Sequence, residues 1–487
     1  MMRSTPALAG LADRAPWRAV AGLAITGLTA DSRKVQPGFL FAAIEGARAD
    51  GRSFIADAVA RGAAVVLAPP GTPWPPGVPP RALIEDPAPR LRLAQLAAAF
   101  AGAQPEHVVA VTGTNGKTST AEFLRQIWAQ AGHQAASLGT LGLIAPGMEP
   151  GPGLTTPDPV ALADTLARLA RAGIARAAIE ASSHGLDQFR LDGVRLEAGA
   201  FTNLTRDHLD YHGSLPAYRA AKLRLFAELL PAGAPAFATT ALDPETSTAL
   251  AAIAAERRLR LGFVGEGGTA IALLRATPSP DGQDLDLRMD GASHTVHLPL
   301  PGRFQADNAL LAAALAHALG DAQALDRLPR LAGVRGRMER AAVLANGATV
   351  YVDYAHTPDA LERLLTALRP HTKGLLHVVF GAGGDRDRGK RPLMGAAAAR
   401  HADRIIVTDD NPRTEDPAAI RAAVLAACPG AAEIGDRAAA IEAGLNALGP
   451  GDVLAVAGKG HEQGQTVGTI TLPFDDVTVV RRLTGTA

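Results

Sequence analysis

A strand that runs directly into a glycine-rich loop and then into a helix is the feature that most constrains this fold. The segment VVAVTGTNGKTST supplies the strand, followed by a loop and helix start made of Gly113, Thr114, Asn115, Gly116, Lys117, Thr118 and Ser119. Glycines let backbone amides approach phosphate oxygens, a lysine adds a positive charge, and a hydroxyl at the helix start can bind Mg²⁺. This order of elements therefore predicts a nucleotide-binding domain.

Two series of apolar runs alternate with helical stretches along the chain. The first series contains VVAVT, AAIEAS and AGAFTNLT, and the second contains TVYVDYA, LLHVVFGAGG, RIIVTDD and DVLAVAGKG. This alternation is typical of α/β domains with parallel sheets. A length of 487 residues is enough for about three domains. We place them at residues 1–104, 105–333 and 334–487, with breaks at AGAQPEH and LAGVRGRMER.

The composition argues against several classes of protein. Lys plus Arg and Asp plus Glu both number 48, so no net charge attracts nucleic acid or an anionic membrane. A single cysteine, Cys428, rules out an internal disulfide. The early segment MMRSTPALAGLADRAPWRAV is interrupted by Asp13, Arg14 and Pro16, unlike a signal peptide, and no apolar run reaches membrane-spanning length. We expect a cytoplasmic protein that binds neither nucleic acid nor membranes.

Acidic and histidine side chains follow two of the predicted strands. Glu180 closes the run AAIE, and the next strand leads into NLTRDHLDYHG, which carries Asn203, Asp207, His208 and Asp210. Because the carboxyl ends of parallel strands form the ligand crevice, Glu180 is a candidate Mg²⁺ ligand and His208 a candidate ligand for metal or phosphate. Lys222, on the following helix, is typical by composition of an ordinary surface lysine.

Several motifs in order resemble those of the Mur ligases over nearly the whole chain. They are TGTNGKTST, IEASSHGLDQFR, NLTRDHLDYHG, GRMER, DYAHTPD and GAGGDRDRGKRP. The resemblance implies an α/β chain of three domains: a small N-terminal domain for the uridine nucleotide, a central P-loop ATPase domain with a parallel sheet, and a C-terminal Rossmann-like domain for the amino acid. The motif DNPR, Asp410 to Arg413, is similar to that of members that use meso-diaminopimelate.

What the resemblance implies for ATP and metal can be assigned residue by residue. ATP would be bound by the glycine-rich loop together with Asn308, Arg340, Asp353 and His356. Mg²⁺ would be held by Thr118, Glu180, His208 and Lys222, the last as N6-carboxylysine, a carbamate. The catalytic residues would be Lys117, Glu180, His208 and Lys222.

The resemblance also implies sites for the precursor UDP-N-acetylmuramoyl-L-alanyl-D-glutamate and for meso-diaminopimelate. The precursor would contact Ser32, the stretch GARADGR from Gly46, and Thr155, Thr156, Ser182, Gln188 and Arg190. Diaminopimelate would contact Arg386, Asp410, Asn411, Pro412, Arg413, Gly458 and Glu462. Guanidinium groups suit carboxylates, and carboxylates suit the ammonium of an amino acid.

The implied activity is an ATP-dependent ligation that passes through an acyl phosphate, in peptidoglycan synthesis. The base that takes the amine proton stays open among His208, His356 and a Lys222 carbamate. We expect a monomer. Three alternatives are a folylpolyglutamate synthase, which shares the loop but has no use for an N-terminal uridine domain, a P-loop switch or motor, and a precursor-binding protein without activity.

Overall fold

The computed structural model describes residues 23–46, 49–149, 151, 153–279 and 281–486. They form two compact units. Unit 1 contains the described residues up to Phe263 together with Ala318–Gly320, and unit 2 contains Val264–His317 and the described residues from Asp321 onward. The early segment MMRSTPALAGLADRAPWRAV lies outside the described residues, as do Ala47 and Arg48 of the stretch GARADGR.

A small parallel sheet forms the first part of unit 1. Its elements are β1 (Gly27–Thr29), a 3₁₀ helix (Ser32–Lys34), β2 (Phe39–Ala42), a 3₁₀ helix (Gly51–Phe54), α1 (Ile55–Ala60), β3 (Val65–Ala68), β4 (Ala82–Glu85) and α2 (Pro89–Ala101). The strands lie in sequence order and pair in parallel. Buried apolar side chains form two core clusters around this sheet, as expected for parallel strands covered on both faces. The predicted N-terminal α/β domain is confirmed.

The glycine-rich loop belongs to a larger sheet in unit 1. Its strands there are β5 (His107–Thr112), β6 (Ala135–Gly139), β7 (Gly142–Ile144), β8 (Arg176–Glu180), β9 (Ala198–Phe201) and β10 (Pro235–Thr239), in the order β10-β9-β5-β8-β6-β7. Neighbouring strands in this order pair in parallel except β6 and β7, which are antiparallel. The predicted parallel arrangement is confirmed for the strands that carry the loop, whereas the sequence pattern does not predict the antiparallel edge strand.

Helices pack against this sheet and complete the core of unit 1. They are α3 (Lys117–Gln130), α4 (Pro159–Arg171), α5 (Ser183–Asp187), α6 (Leu209–His212), α7 (Leu215–Arg224), a π-helical turn (Leu225–Leu229) and α8 (Pro244–Arg257). Helix α4 shows why they form. Asp158 accepts hydrogen bonds from the first-turn amides, and Leu162, Leu166 and Leu169 recur on one face, which is buried in the core.

The strand register brings three strand ends to one edge. Val111 of β5 lies opposite Glu180 of β8, and Thr112 lies opposite Phe201 of β9. Because all three strands are parallel, the loop after β5, the Glu180 side chain and the residues after Phe201 emerge at the same edge. This edge is the part of the fold that positions the candidate site.

Antiparallel strands that the sequence analysis did not identify open unit 2. They follow β11 (Arg260–Gly265), which continues into unit 2, and are β12 (Ile271–Ser279), β13 (Gly282–Met289) and β14 (Ala292–Leu298). The segment GQDLDLRM alternates between buried and more exposed residues, which is the signal for half-buried strands. Helix α9 (Arg303–Ala318) follows and is buried over most of its length.

A six-stranded sheet forms the C-terminal part of unit 2. Its strands are β15 (Glu339–Val343), β16 (Thr349–Asp353), β17 (Leu376–Phe380), β18 (Arg404–Val407), β19 (Ala432–Glu433) and β20 (Val453–Ala457), followed by the hairpin of β21 (Gly464–Val467) and β22 (Ile470–Pro473). The order is β15-β16-β20-β17-β18-β19, and only β15 pairs antiparallel. This confirms the predicted Rossmann-like C-terminal domain.

The remaining helices belong to the same unit. They are α10 (Pro358–Leu368), α11 (Lys390–His401), α12 (Pro417–Leu425), α13 (Arg437–Asn446) and α14 (Asp476–Thr484), with 3₁₀ helices at Leu325–Arg330 and Arg369–His371. Within the described ranges, no helix is both long and apolar enough to span a membrane.

A buried ion pair joins two of these helices. Arg437 at the start of α13 donates from Nε and Nη2 to the two carboxylate oxygens of Asp476 at 2.7 Å each, and both side chains are 0% exposed. Asp476→Ala should cost about 3–5 kcal/mol of unfolding free energy, because it leaves a buried guanidinium without its anion. Chemical denaturation measures this. The control Glu362→Ala breaks an exposed pair with Arg400 and should change stability little. If Asp476→Ala lowered the unfolding free energy no more than Glu362→Ala does, the expectation would be contradicted.

Candidate active site

The loop after β5 turns through two glycines with positive φ. Gly113 has a φ of 142° and Gly116 a φ of 86°. A Cβ on Gly113 would lie 1.9 Å from Oγ1 of Thr202, so a side chain does not fit at this close approach. Helix α3 begins at the next residue after Gly116, with Thr118 buried in its first turn. A loop followed by a helix N-terminus is an anion-binding arrangement.

Asn203, which follows β9, braces this loop. The amide of Thr114 donates to the Asn203 carbonyl oxygen at 2.8 Å, and the amide of Asn115 donates to Asn203 Oδ1 at 3.0 Å. The Asn203 side chain returns a hydrogen bond to the Asn115 carbonyl at 3.2 Å. The predicted position of Asn203 at the sheet edge is confirmed, and its contacts here are with the loop.

Two lysines from different helices meet the same carbonyl group. Lys117 Nζ donates to the carbonyl oxygens of Gly113 at 2.9 Å and Thr114 at 2.8 Å. Lys222 Nζ, from α7, donates to the Gly113 carbonyl at 2.7 Å. The two predicted catalytic lysines therefore lie together at the glycine-rich loop.

Lys222 is a buried lysine. The residue is 1% exposed, and its Nζ lies 4.4 Å from the ring centroid of Tyr218. Burial lowers the pKa of Lys222 well below its ordinary value, and Lys117 lowers it further, whereas Asp207 opposes the shift. The interpretation of Lys222 as a surface lysine, based on composition, is wrong.

Glu180 is fixed at the end of β8. It is 3% exposed, Oε1 accepts from the Thr140 amide at 2.8 Å, and Oε2 accepts from the Thr140 hydroxyl at 3.3 Å. A Cβ on Gly139 would lie 2.0 Å from Oε1, so the glycine makes room for the carboxylate. The predicted placement of Glu180 at a strand end is confirmed.

Five of the residues predicted to contact the precursor lie beside Glu180, and all but Thr155, whose hydroxyl lies 3.0 Å from that of Thr140, are hydrogen-bonded to one another. They are Thr155, Thr156, Ser182, Gln188 and Arg190. The Thr156 hydroxyl donates to the Glu180 carbonyl at 2.8 Å and accepts from the Ser182 amide at 3.0 Å. Arg190 donates to the Thr156 carbonyl at 2.6 Å and to Gln188 Oε1 at 2.7 Å. The sixth, Ser32, is buried at the start of its 3₁₀ helix after β1.

His208 lies in a group of aromatic side chains. It has a φ of 51°, and its ring centroid is 4.9 Å from that of His184, which is 5.5 Å from that of His212. Burial lowers the pKa values of His184 and His212, and nearby His208 lowers both further. Both shifts favour the neutral form of the imidazole ring. The Tyr211 hydroxyl accepts from Gln188 at 3.0 Å, which links this group to the predicted precursor contacts.

In unit 2, the four residues predicted to close around ATP have different surroundings. Asp353 ends β16, where Oδ2 accepts from the Met338 amide at 2.7 Å and burial raises its pKa. His356 Nδ1 lies 2.8 Å from the Tyr354 carbonyl, and burial lowers its pKa. Asn308 is buried within α9, whereas Arg340 is exposed on β15.

The residues predicted to hold diaminopimelate meet at the ends of β18 and β20. Asn411 Nδ2 donates to Glu462 Oε2 at 2.9 Å. Asp410 is 7% exposed, and its Oδ2 has no hydrogen-bond partner among the described residues. Gly458 has a φ of 118°, and a Cβ there would lie 2.5 Å from Asp410 Oδ2. The geometry therefore presents a buried carboxylate oxygen beside a residue that must be glycine.

Arg413 and Arg386 approach the same region from two loops. Arg413 is half-buried, and its Nη1 donates to the Gly384 carbonyl at 2.8 Å. Arg386 is exposed on the GGDRD loop, and Pro412 is buried. Burial raises the pKa of Tyr354, the charges of Glu462 and Asp410 raise it further, and the charge of Arg386 opposes the shift.

The sequence analysis did not identify two residues that hold the site together. Tyr218 lies four residues before Lys222 on the same helix, a spacing that brings side chains together. Lys459 is 0% exposed, and its Nζ donates to Asn411 Oδ1 at 3.0 Å and to Glu462 Oε2 at 3.3 Å. The sequence signal that could have identified Lys459 is its position in AGKGHE, between the predicted contact residues Gly458 and Glu462.

Comparisons with known proteins agree over most of the chain. Models described as the Mur ligase family catalytic domain, the Mur ligase middle domain and the Mur ligase glutamate ligase domain match residues 24–101, 111–316 and 336–460. The UDP-N-acetylmuramoyl-L-alanyl-D-glutamate–2,6-diaminopimelate ligase of Caulobacter vibrioides is 56% identical over 463 residues, covering 93% of this chain and 94% of that protein. This chain belongs to the Mur ligase family.

Solved structures give the same result for this Mur ligase. A structure of UDP-N-acetylmuramoyl-L-alanyl-D-glutamate–2,6-diaminopimelate ligase is 34% identical, has a TM-score of 0.71 and covers 95% of each chain. A folylpolyglutamate synthase of Mycobacterium tuberculosis is 20% identical with a TM-score of 0.63, covering 81% of this chain and 95% of that one, which shows a shared fold alone. The 56% identity to a diaminopimelate ligase favours the predicted ligase over the folylpolyglutamate synthase, switch and binding-protein alternatives.

Proposed function

We propose that this Mur ligase uses ATP to join meso-diaminopimelate to the D-glutamyl carboxylate of UDP-N-acetylmuramoyl-L-alanyl-D-glutamate, a step of peptidoglycan synthesis. The likeness over nearly the whole chain to the diaminopimelate ligase of Caulobacter vibrioides carries this proposal. The DNPR stretch and the buried carboxylate of Asp410 support the choice of amino acid, because they offer a cation and an anion to a zwitterion.

The reaction has two steps that need no nucleophilic side chain. The D-glutamyl carboxylate attacks the γ-phosphorus of ATP, giving an acyl phosphate and ADP. The amine of diaminopimelate then attacks the acyl carbon, loses a proton and displaces phosphate as the amide forms. Lys117 and the N-terminus of α3 lie where they can neutralise phosphate charge, so catalysis depends on positioning and electrostatics.

We propose that Lys222 acts as a carbamate. A neutral lysine amine attacks carbon dioxide, an N–C bond forms and one N–H proton is released, which leaves an anion. The lowered pKa of Lys222 supports this, because it increases the neutral fraction of the amine near neutral pH. The surrounding Tyr218 ring and glycine-rich loop keep that amine away from bulk water.

The residues at this edge fit Mg²⁺ only when different kinds of ligand are combined. In the part of the chain that the structure describes, no three His, Cys, Asp or Glu side chains are grouped as a metal site. The ion would therefore be held by the Thr118 hydroxyl, the Glu180 carboxylate, His208 and the Lys222 carbamate, together with phosphate oxygens. Bound Mg²⁺ would supply positive charge to the phosphates.

The substrates suggest how the chain is organised. We propose that residues 1–104 hold the uridine nucleotide, residues 105–333 hold ATP and residues 334–487 bring the amino acid, with Asn308, Arg340, Asp353 and His356 completing the ATP site. Both nucleotide substrates are made inside the cell, so the enzyme would work in the cytoplasm. We propose a monomer, which light scattering at working concentration would test.

Phosphate release with single substrates omitted tests the proposed function. The complete mixture should release phosphate at the rate of amide formation, whereas omission of the precursor or of diaminopimelate should stop steady turnover. A P-loop switch would hydrolyse ATP without either substrate, and a binding protein would release no phosphate. Either result would contradict the ligase.

The choice of amino acid depends on Arg413, which would pair with the carboxylate at the far end of diaminopimelate. Lysine lacks that carboxylate, so the wild-type enzyme should discriminate against it by roughly 2–5 kcal/mol, about thirty- to several-thousand-fold in kcat/KM. Arg413→Ala should reduce kcat/KM for diaminopimelate far more than kcat/KM for lysine. The ratio of the two kcat/KM values should therefore fall at least about tenfold. Steady-state kinetics with both amino acids measure it.

Arg404→Ala is the matched control for this prediction. Arg404 is an exposed arginine at the opposite end of β18 from DNPR, so its removal should leave the ratio unchanged. A wild-type preference for lysine, or an unchanged ratio in Arg413→Ala, would mean that DNPR is only a turn.

A further inference from the structure

Arg413 has a backbone conformation that arginine rarely adopts. Its φ is 51°, in the left-handed region where a Cβ is unfavourable. Such a residue stays there only when its surroundings hold it. The β21–β22 hairpin does so from both sides, through Thr466 of β21 and Gly468 of the turn that follows it. The Arg413 amide donates to the Thr466 carbonyl at 3.0 Å, and the Gly468 amide donates to the Arg413 carbonyl at 2.7 Å.

The same strand holds the rest of the DNPR stretch. Gln465 Nε2 donates to the Asp410 carbonyl at 2.8 Å, and the Thr466 amide donates to Asn411 Oδ1 at 2.9 Å. The Asn411 oxygen also accepts from the buried ammonium of Lys459, so it is fixed from two directions. Strand β21 therefore contacts three of the four residues of DNPR.

The hairpin contributes little to the core. Its two strands pair with each other as a separate two-stranded sheet, and all four residues of β22 are exposed. Ile470, for example, is 64% exposed. An isolated hairpin is at best marginally stable, so the contacts with DNPR help to hold it in place. Positioning DNPR explains this element better than core packing does.

We propose that the β21–β22 hairpin is an element of amino-acid selectivity and that Gln465 is a positioning residue within it. The side chain of Gln465 holds the Asp410 backbone, while β21 holds Arg413 in its left-handed conformation with the guanidinium at Gly384. The carboxylate and the guanidinium that meet the two ends of diaminopimelate thus keep a fixed separation. This inference rests on the proposed function.

Gln465→Leu tests the inference, because it keeps the size of the side chain and removes the donor. We expect the KM for diaminopimelate to rise about fivefold, the effect of one lost hydrogen bond, with kcat nearly unchanged. The kcat/KM ratio of diaminopimelate to lysine should fall by a similar factor. The KM values for ATP and the precursor should stay at their wild-type levels, which a general loss of structure would not allow.

Two further comparisons keep the test decisive. Ile470→Ala, on the outer strand of the same hairpin, should behave as wild type. Gly468 has a φ of 60°, so Gly468→Asn, which tolerates this conformation, should keep the ratio, whereas Gly468→Val should lower it. An unchanged ratio in both Gln465→Leu and Gly468→Val, or equal rises in all three KM values, would overturn the inference. Failure of the wild-type enzyme to use diaminopimelate would instead overturn the proposed function, and the inference with it.

Discussion

Lys117→Ala is expected to lower the rate of ligation by roughly 10³-fold or more. This is the lower end of the effect on kcat of a cation that stabilises a transferring phosphoryl group. The ammonium lies over the loop, donating to the carbonyls of Gly113 and Thr114. The loop itself is braced by Asn203, so its backbone should keep its shape. Coupled phosphate release measures activity, and thermal unfolding measures whether the fold survives.

Lys373→Ala is the control for Lys117→Ala. Lys373 is an exposed lysine before β17, so its loss should change neither activity nor unfolding. If Lys117→Ala turned over about as fast as Lys373→Ala, the assignment of the glycine-rich loop as the ATP-binding site would be wrong. A large fall in unfolding temperature would instead show that Lys117 holds the loop together.

Lys222→Ala is expected to lose roughly 10²-fold or more of the activity, as expected when an anionic ligand beside a metal is removed. Acetate or another short carboxylate should restore part of it, because a free anion can occupy the space that the carbamate would fill. Lys222 is almost fully buried, so the variant leaves room beside Tyr218 for such a molecule. Activity against acetate concentration is the measurement.

Lys222→Arg tests whether the enzyme needs a negative or a positive charge at this position. Arginine keeps a positive charge and cannot take up carbon dioxide as lysine does, so this variant should be as inactive as Lys222→Ala. Full activity of either variant without added carboxylate would contradict the carbamate. Activity of Lys222→Arg alone would mean that the role of Lys222 is that of an ammonium.

Much of the sheet edge was predictable because it depends on local pattern. An apolar run that ends in glycines and then Lys-Thr predicts a strand, a loop and a helix, and β5, the loop and α3 follow in that order. Glu180 closes an apolar run, and parallel pairing then brings it beside the loop. The same reasoning predicted four strands of the C-terminal sheet, β16, β17, β18 and β20, whereas the two-residue strand β19 was not predicted.

The environment of individual side chains was not predictable from pattern. Composition predicts that a lysine is exposed, and only the packing of α7 under the loop buries Lys222. The left-handed conformation of Arg413 depends on hydrogen bonds to a hairpin more than fifty residues later in the chain. The sheets are mixed, because β7 pairs antiparallel with β6, and β13 pairs antiparallel with both β12 and β14. This depends on pairing between segments, which hydrophobic alternation does not specify.

The central claim is ligation through an acyl phosphate, and oxygen-18 in the D-glutamyl carboxylate of the precursor tests it most directly. The enzyme would be given the labelled precursor, ATP and meso-diaminopimelate, and both products would be analysed by mass spectrometry. We expect the diaminopimelate amide, with one labelled oxygen in each phosphate released, because the attacking carboxylate oxygen leaves with the phosphate. Absence of the amide, or phosphate without label, would contradict the account.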